Sequence, residues 1–93
     1  MSRLRFVWAS DKAAMNLRKH GVAMDEARSA FGDPLAITLP DPDHSIGEQR
    51  YITFGRSERG RLLAVAHTEI EESVRIISAR LMTPAERRRY EES

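Results

Sequence analysis

The stretch KAAMNLRKHGV, Lys12 to Val22, gathers groups that do chemistry. Laid on a helix at about 100° per residue, Lys12, Asn16 and Lys19 share a narrow sector and His20 lies at its edge, while Ala13, Ala14 and Leu17 fill a separate apolar sector. Ammonium groups neutralise anions and an imidazole moves protons near neutral pH, so the row is either a site or a solvated helix face. Cysteine is absent, which excludes disulfides, thiolate metal sites and a cysteine nucleophile, and histidines at 20, 44 and 67 form no metal motif. The remaining inventory is histidines, carboxylates and a lopsided basic set of thirteen arginines against two lysines. Arginine is the residue whose planar fork matches pairs of phosphate oxygens, although GC-rich codon usage produces the same bias.

These groups need elements to hold them. Leu4 to Trp8 reads as a strand, after which Ser10 is a plausible N-cap with Asp11 in the first turn of a helix running to about His20. Gly21 is a natural left-handed cap. A second helix carries Met24, Ala27, Ala30 and Phe31 until Gly32-Asp33-Pro34 stops it. Leu35 to Leu39 is a short strand, and Pro40 to Glu48 a turn-rich loop. RYITFGR, RLLAVAH and SVRIISARL give three strands, the last two joined by the acidic turn EIEES. Thr83 caps a final helix, TPAERRRYEES, with Pro84 first and Glu86 three residues after the cap. The order β-α-α-β-β-β-β-α predicts an α+β fold, an antiparallel sheet with helices on one face and the other face partly open.

Strand parity then selects neighbours. If three residues of the acidic turn stay unpaired, Glu69 faces Ser73, and His67 faces Arg75 as a cross-strand couple. Arg80 has the opposite parity and ends its strand, close to where Arg61 enters the neighbouring one. Each residue also has a plain reading: His67 as a satisfied core histidine, His20 as a partner of the helix dipole, His44 as a solvated loop residue. Arg87, Arg88 and Arg89 can pair along their own helix with Glu86, Glu91 and Glu92.

At 93 residues, with 41% apolar and 31% charged residues, the chain is expected to form a single domain over 1–93 with one modest core. A formal charge of +1 and a pI near 8.2 fall far below those of a domain coated for nucleic-acid binding, so a phosphate partner needs local clustering of cations. No apolar run approaches the length of a membrane span, and MSRLRFVWAS lacks a signal-peptide core, making the cytoplasm the expected location.

The succession FVW, K-AAM-N-LRKHGV, EA-RSAFGDP, LPDPDHSIGEQRYITFG, GRLLAVAHTE, RIISAR and TPAERRRYEE resembles the BrnT toxins, ribonucleases of type II toxin-antitoxin pairs. The ordered set Trp8, Lys12, Asn16, Lys19-His20, Asp33-Pro34, Glu48, Arg50, His67-Thr68 and Arg75 to Arg80 carries the likeness. Two departures stand out: Ala9 follows Trp8 where such chains commonly read WD, and Ala23 stands where a Ser or Asp cap is usual. The resemblance implies a RelE-like fold and RNA cleavage without metal or cofactor. It also implies a BrnA-type antitoxin with a ribbon-helix-helix domain, which would dimerise, cover two toxins in a 2:2 complex and bring it to operator DNA. Cleavage of that kind uses the neighbouring 2′-hydroxyl as nucleophile and needs a base, an acid and cations around the phosphoryl oxygens. On the resemblance, His67 or Glu48 is the base, His20 or Lys12 the acid, and Arg50, Arg75 and Arg80 the phosphate clamps. Lys19 joins the phosphate-binding set, Asn16 supports the row, and Trp8 or Tyr51 is available to stack on a base. A non-catalytic domain that only binds an antitoxin or nucleic acid would show the same core and charged helices.

Overall fold

The computed structural model describes residues 5–44 and 47–92. Leu4, Ser45, Ile46 and Ser93, which belong to the expected first strand, central loop and last helix, lie outside the described residues. The chain runs β1 (Arg5–Val7), α1 (Ser10–His20), α2 (Met24–Ser29), a 3-10 turn (Ala30–Gly32), β2 (Ile37–Pro40), a second 3-10 turn (Pro42–His44), β3 (Arg50–Arg56), β4 (Leu62–Ile70), β5 (Ser73–Leu81) and α3 (Pro84–Glu92). The strands form one five-stranded sheet in the order β1-β5-β4-β3-β2. Every pairing is antiparallel except β1 with β5, which is parallel, so the sheet is mixed rather than purely antiparallel. The crossover from β1 through two helices and three strands is what allows the parallel pair.

Alternation assigns the strand residues to two faces. One face carries Leu63, Val65, Val74, Ile76 and Ala79, which close against Val22, Met24, Ala27 and Ala30 beneath α1 and α2, with Phe6, Trp8, Ala13 and Phe31 at the margin. Gly55 lies on this face, where a Cβ would stand 2.6 Å from the Ala30 carbonyl oxygen, so only glycine lets the 3-10 turn approach β3. The third helix lies elsewhere. α3 packs across β3, and Glu86, Arg89 and Tyr90 line a hollow with Ile37, Leu39 and Phe54, all three from the opposite, open face. The expectation of all helices on one face is therefore corrected. Tyr90 is anchored because its hydroxyl donates to Asp33, whose carboxylate also accepts the Arg56 N–H at 2.8 Å and the Leu35 N–H at 2.9 Å.

Helix ends follow the sequence unevenly. Gly21 adopts φ 69° and donates its N–H to the Leu17 carbonyl, and Thr83 and Glu86 form the expected reciprocal cap, each accepting the other's backbone N–H. Ser10, expected as the N-cap of α1, is instead its first residue; Ala9 and Ala23 occupy the two cap positions without a side-chain bond. Those helices start without the roughly 1 kcal/mol a polar cap contributes and rely on packing.

α1 is also rotated from the expected sense. Leu17 is 54% exposed and Ala14 is exposed, whereas Asn16 is only 5% exposed. The cause lies in β5, which pairs with β1 only from Ser73 to Arg75 and so leaves a bare edge beyond. The Asn16 amide fills it: Nδ2 donates to the Ala79 carbonyl at 3.0 Å and to the Val22 carbonyl at 2.9 Å, while Oδ1 accepts the Ala79 N–H at 3.0 Å. Satisfying three buried backbone groups outweighs burying a leucine at that turn.

Candidate active site

The hairpin between β4 and β5 turns through only Glu71 and Glu72, with Glu71 at φ 55°, so Ile70 rather than Glu69 faces Ser73. His67 consequently faces Ile76, and Arg75 pairs with Thr68; the expected His67–Arg75 couple does not form. A bulge opposite Ala66 and His67 then inserts Ile77 as an extra residue in β5, and from Ser78 onward the strand's parity is reversed. Arg80, expected opposite to Arg75, thereby joins it on the open face, and Arg50 on β3 is there too, paired with Thr68. Three arginines from two strands share one face of the sheet, Arg50 and Arg75 flanking Thr68 and Arg80 lying further along the β4–β5 pair, opposite Ala64. Arg61 goes to the helix face instead, where Glu26 holds it through Nε at 2.8 Å and its guanidinium donates to the Gly21 carbonyl at 3.0 Å.

Arg75 and Arg80 each grip a carboxylate. Arg75 donates to Glu48 at 2.5 Å, an exposed pair open to exchange. Arg80 donates from both terminal nitrogens to Glu86, at 2.8 and 3.0 Å. That bidentate bond raises the Arg80 pKa and lowers that of Glu86, whose carboxylate is fixed in turn by the Thr83 N–H. Glu86 was legible in the sequence as a capping residue, but not as the group that aims Arg80, because that contact depends on where α3 returns. Thr68, between Arg50 and Arg75, is 1% exposed.

The α1 row lies around the β5 edge from these arginines. Lys12, Lys19 and His20, with Asp11 and Met15, line a groove of about 380 Å³ with Asn16, Ile77 and Ser78. Lys12 and Lys19 are exposed and His20 partly so, whereas Asn16 is held by the backbone behind them.

His67 stands apart from both groups. It is 0% exposed on the helix face, its Nε2 lies 2.7 Å from Thr53 Oγ1, and Thr53 Oγ1 lies 2.7 Å from Thr38 Oγ1. The ring contacts Phe31 edge-on at 5.0 Å and stacks with Tyr51 at 5.9 Å; Nδ1 has no hydrogen bond and is 3.8 Å from the Glu69 carboxylate. Burial lowers its pKa to about 4, so the imidazole is neutral at pH 7. Tyr51 stacks on this ring and donates its hydroxyl to Gln49, while Trp8 packs at the core margin. His44 is exposed and lies 3.0 Å from Asp41. Among the described residues no cluster of three His, Asp or Glu side chains is placed to hold a metal ion, and no helix is long and apolar enough to cross a membrane.

This geometry can be set beside known proteins. The chain is similar to a crystal structure of the Brucella abortus ribonuclease toxin BrnT, with a TM-score of 0.68 at 18% identity, covering 87% of this chain and 99% of that one. At that identity the likeness speaks for the fold alone, and no curated protein matches the chain. The family model described as the ribonuclease toxin BrnT of type II toxin-antitoxin systems matches residues 8–86, from Trp8 through the α1 row and the arginine face to the Glu86 that aims Arg80. A match over that much of the sequence places the chain in the family of BrnT ribonuclease toxins of type II toxin-antitoxin systems.

Proposed function

We propose that the chain is a metal-independent endoribonuclease that inhibits translation by cleaving RNA. The observation that carries this reading is the placement of Arg50, Arg75 and Arg80 on one face of the sheet, which Arg80 joins through the β5 bulge. A scissile phosphate there meets fixed cations, which supply the charge stabilisation its crowded oxygens need. When the phosphate takes the Arg75 fork, Glu48 is released beside it and accepts the proton of the 2′-hydroxyl. The 2′-oxygen attacks phosphorus, the bond to the 5′-oxygen breaks, and that oxygen receives a proton from His20 or Lys12. The products carry a 2′,3′-cyclic phosphate and a 5′-hydroxyl. The burial of His67 favours Glu48 as the base and gives the histidine a positioning role, through Thr53 and Tyr51. Lys19 guides the RNA along the α1 groove. Incubating the chain with end-labelled RNA in EDTA tests this: cleavage to cyclic-phosphate ends is the expected result, and retention without cleavage overturns it in favour of a binding domain.

The proposed partner is a BrnA-type antitoxin with a ribbon-helix-helix domain, in a 2:2 complex that reaches operator DNA through the antitoxin. An acidic antitoxin segment laid over the arginine face would exchange with Glu48 on Arg75 at little electrostatic cost, since one carboxylate replaces another.

A further inference from the structure

Thr68 is paired with Arg50 on one side and with Arg75 on the other, so its side chain shares the open face with both. Directly opposed residues of neighbouring strands have Cβ atoms about 5 Å apart, which puts the enclosed hydroxyl on the floor between the two arginine side chains. The hydroxyl is nevertheless orphaned: Thr68 is 1% exposed and Oγ1 has no hydrogen-bond partner. A buried hydroxyl without a partner destabilises a fold, and valine has the same shape, suits a central strand and carries no such penalty. Packing gives no reason for threonine here. Among the described residues the other buried unpartnered atom is His67 Nδ1, which lies on the helix face, 3.8 Å from the Glu69 carboxylate and across the sheet from the arginines.

What sits beside the orphan is informative. Glu48 places an oxyanion on Arg75, the cross-strand neighbour of Thr68. A carboxylate has two oxygens to offer, and here one of them is spent on the arginine. A phosphodiester brings two non-bridging oxygens bearing the charge, arranged tetrahedrally, and so can satisfy arginines and a floor hydroxyl at once.

We infer that Thr68 Oγ1 is a ligand of the RNA phosphodiester, donating its hydrogen bond to a non-bridging oxygen held between Arg50 and Arg75 once Glu48 has left the Arg75 fork. This deepens the ribonuclease reading and rests on it. The hydroxyl is kept at a cost to the free protein because the bound phosphate completes it.

The inference predicts opposite effects on stability and function, which a structural threonine does not. Three full-length chains are compared: the parent, Thr68→Val and Thr68→Ser. Thermal midpoint, kcat and KM on labelled RNA in EDTA, and Kd for a 2′-deoxy oligonucleotide of the same sequence are measured. Thr68→Val should keep or raise the midpoint, weaken the deoxy oligonucleotide about tenfold and lower kcat/KM by tenfold or more, the range for losing a hydrogen bond to a charged group. Thr68→Ser should return both to within about threefold of the parent. Valine that binds and cleaves like the parent overturns the assignment, as does serine that fails to restore function at an unchanged midpoint. Weakening confined to the ribo-oligonucleotide also overturns it, because the hydroxyl would then serve the 2′-hydroxyl and not the phosphate. A parent that leaves RNA intact defeats the ribonuclease reading instead, and the deoxy Kd still decides the hydroxyl.

Discussion

Asn16 separates the structural and chemical members of the α1 row. Replacing it by alanine deletes three hydrogen bonds, to the Val22 carbonyl and to both polar groups of the Ala79 backbone, at a position only 5% exposed. Each bond contributes about 1 kcal/mol, and the abandoned backbone groups stay desolvated, so Asn16→Ala should cost about 3 kcal/mol. For a domain of this size that lowers the thermal midpoint by roughly 15 °C. Asn16→Asp should be no better at neutral pH, because a carboxylate cannot donate to two carbonyls. Lys12→Ala and His20→Ala, by contrast, remove side chains that line the groove without holding backbone, and should leave the midpoint within about 2 °C while reducing RNA cleavage roughly 100-fold. Thermal unfolding followed by circular dichroism, with cleavage assayed well below each midpoint, tests both halves. The reasoning fails if Asn16→Ala melts within about 3 °C of the parent, or if Asn16→Asp is as stable as asparagine.

Three further outcomes are expected. The His67 pKa is lowered to about 4, so the unfolded chain binds a proton that the folded one refuses between pH 6.5 and 4, and stability falls as pH falls through that window. Urea unfolding should show a loss of about 2 kcal/mol from pH 7 to pH 5 that is absent in His67→Gln, and a flat profile in the parent would contradict the burial argument. Gly55→Ala should destabilise by about 2 kcal/mol, since its Cβ would stand 2.6 Å from the Ala30 carbonyl; a neutral result in the same urea assay would mean the 3-10 turn yields freely. Glu86→Ala should lower the thermal midpoint through loss of the α3 cap and also slow RNA cleavage about tenfold as Arg80 loses its bidentate guide, and an unchanged rate would show that Arg80 needs no aiming.

Much of the fold was legible because local chemistry determines it. β3 and β5 have the expected ends, Gly21 closes α1 as only a left-handed residue can, and Thr83 with Glu86 opens α3. The errors arise where a single residue of length decides a face. The β4–β5 turn has two unpaired residues instead of three, and that slip moved His67 away from Arg75. The Ile77 bulge undid the parity that had separated Arg75 from Arg80, and nothing in RIISAR announces it. Asn16 was placed in a polar row because helical periodicity counts hydrophobicity and not hydrogen-bond demand; the bare edge of β5 exists only once β1 is seen to be three residues long. Arg50, Arg75 and Arg80 were grouped as phosphate clamps, but that β3 and β5 place all three on one face of the sheet was not legible, because it depends on the bulge.

The Asn16 clamp also sets an order of events in time. It joins residues 63 apart in the chain, and the parallel strand that completes the sheet edge pairs Phe6 with Val74 over a similar span. Contacts between such distant segments form late, because chain entropy must be given up before they return anything. A polypeptide still emerging from the ribosome and stopping short of Ala79 has no edge for α1 to dock on, and its helix, uncapped at Ala9, is marginal alone. Before Arg75 and Arg80 are added it has no cationic face either. The edge that α1 docks on and the face that carries Arg75 and Arg80 therefore form together, only once residues 73–81 have been made, so the fold and its cationic face arise in one late step.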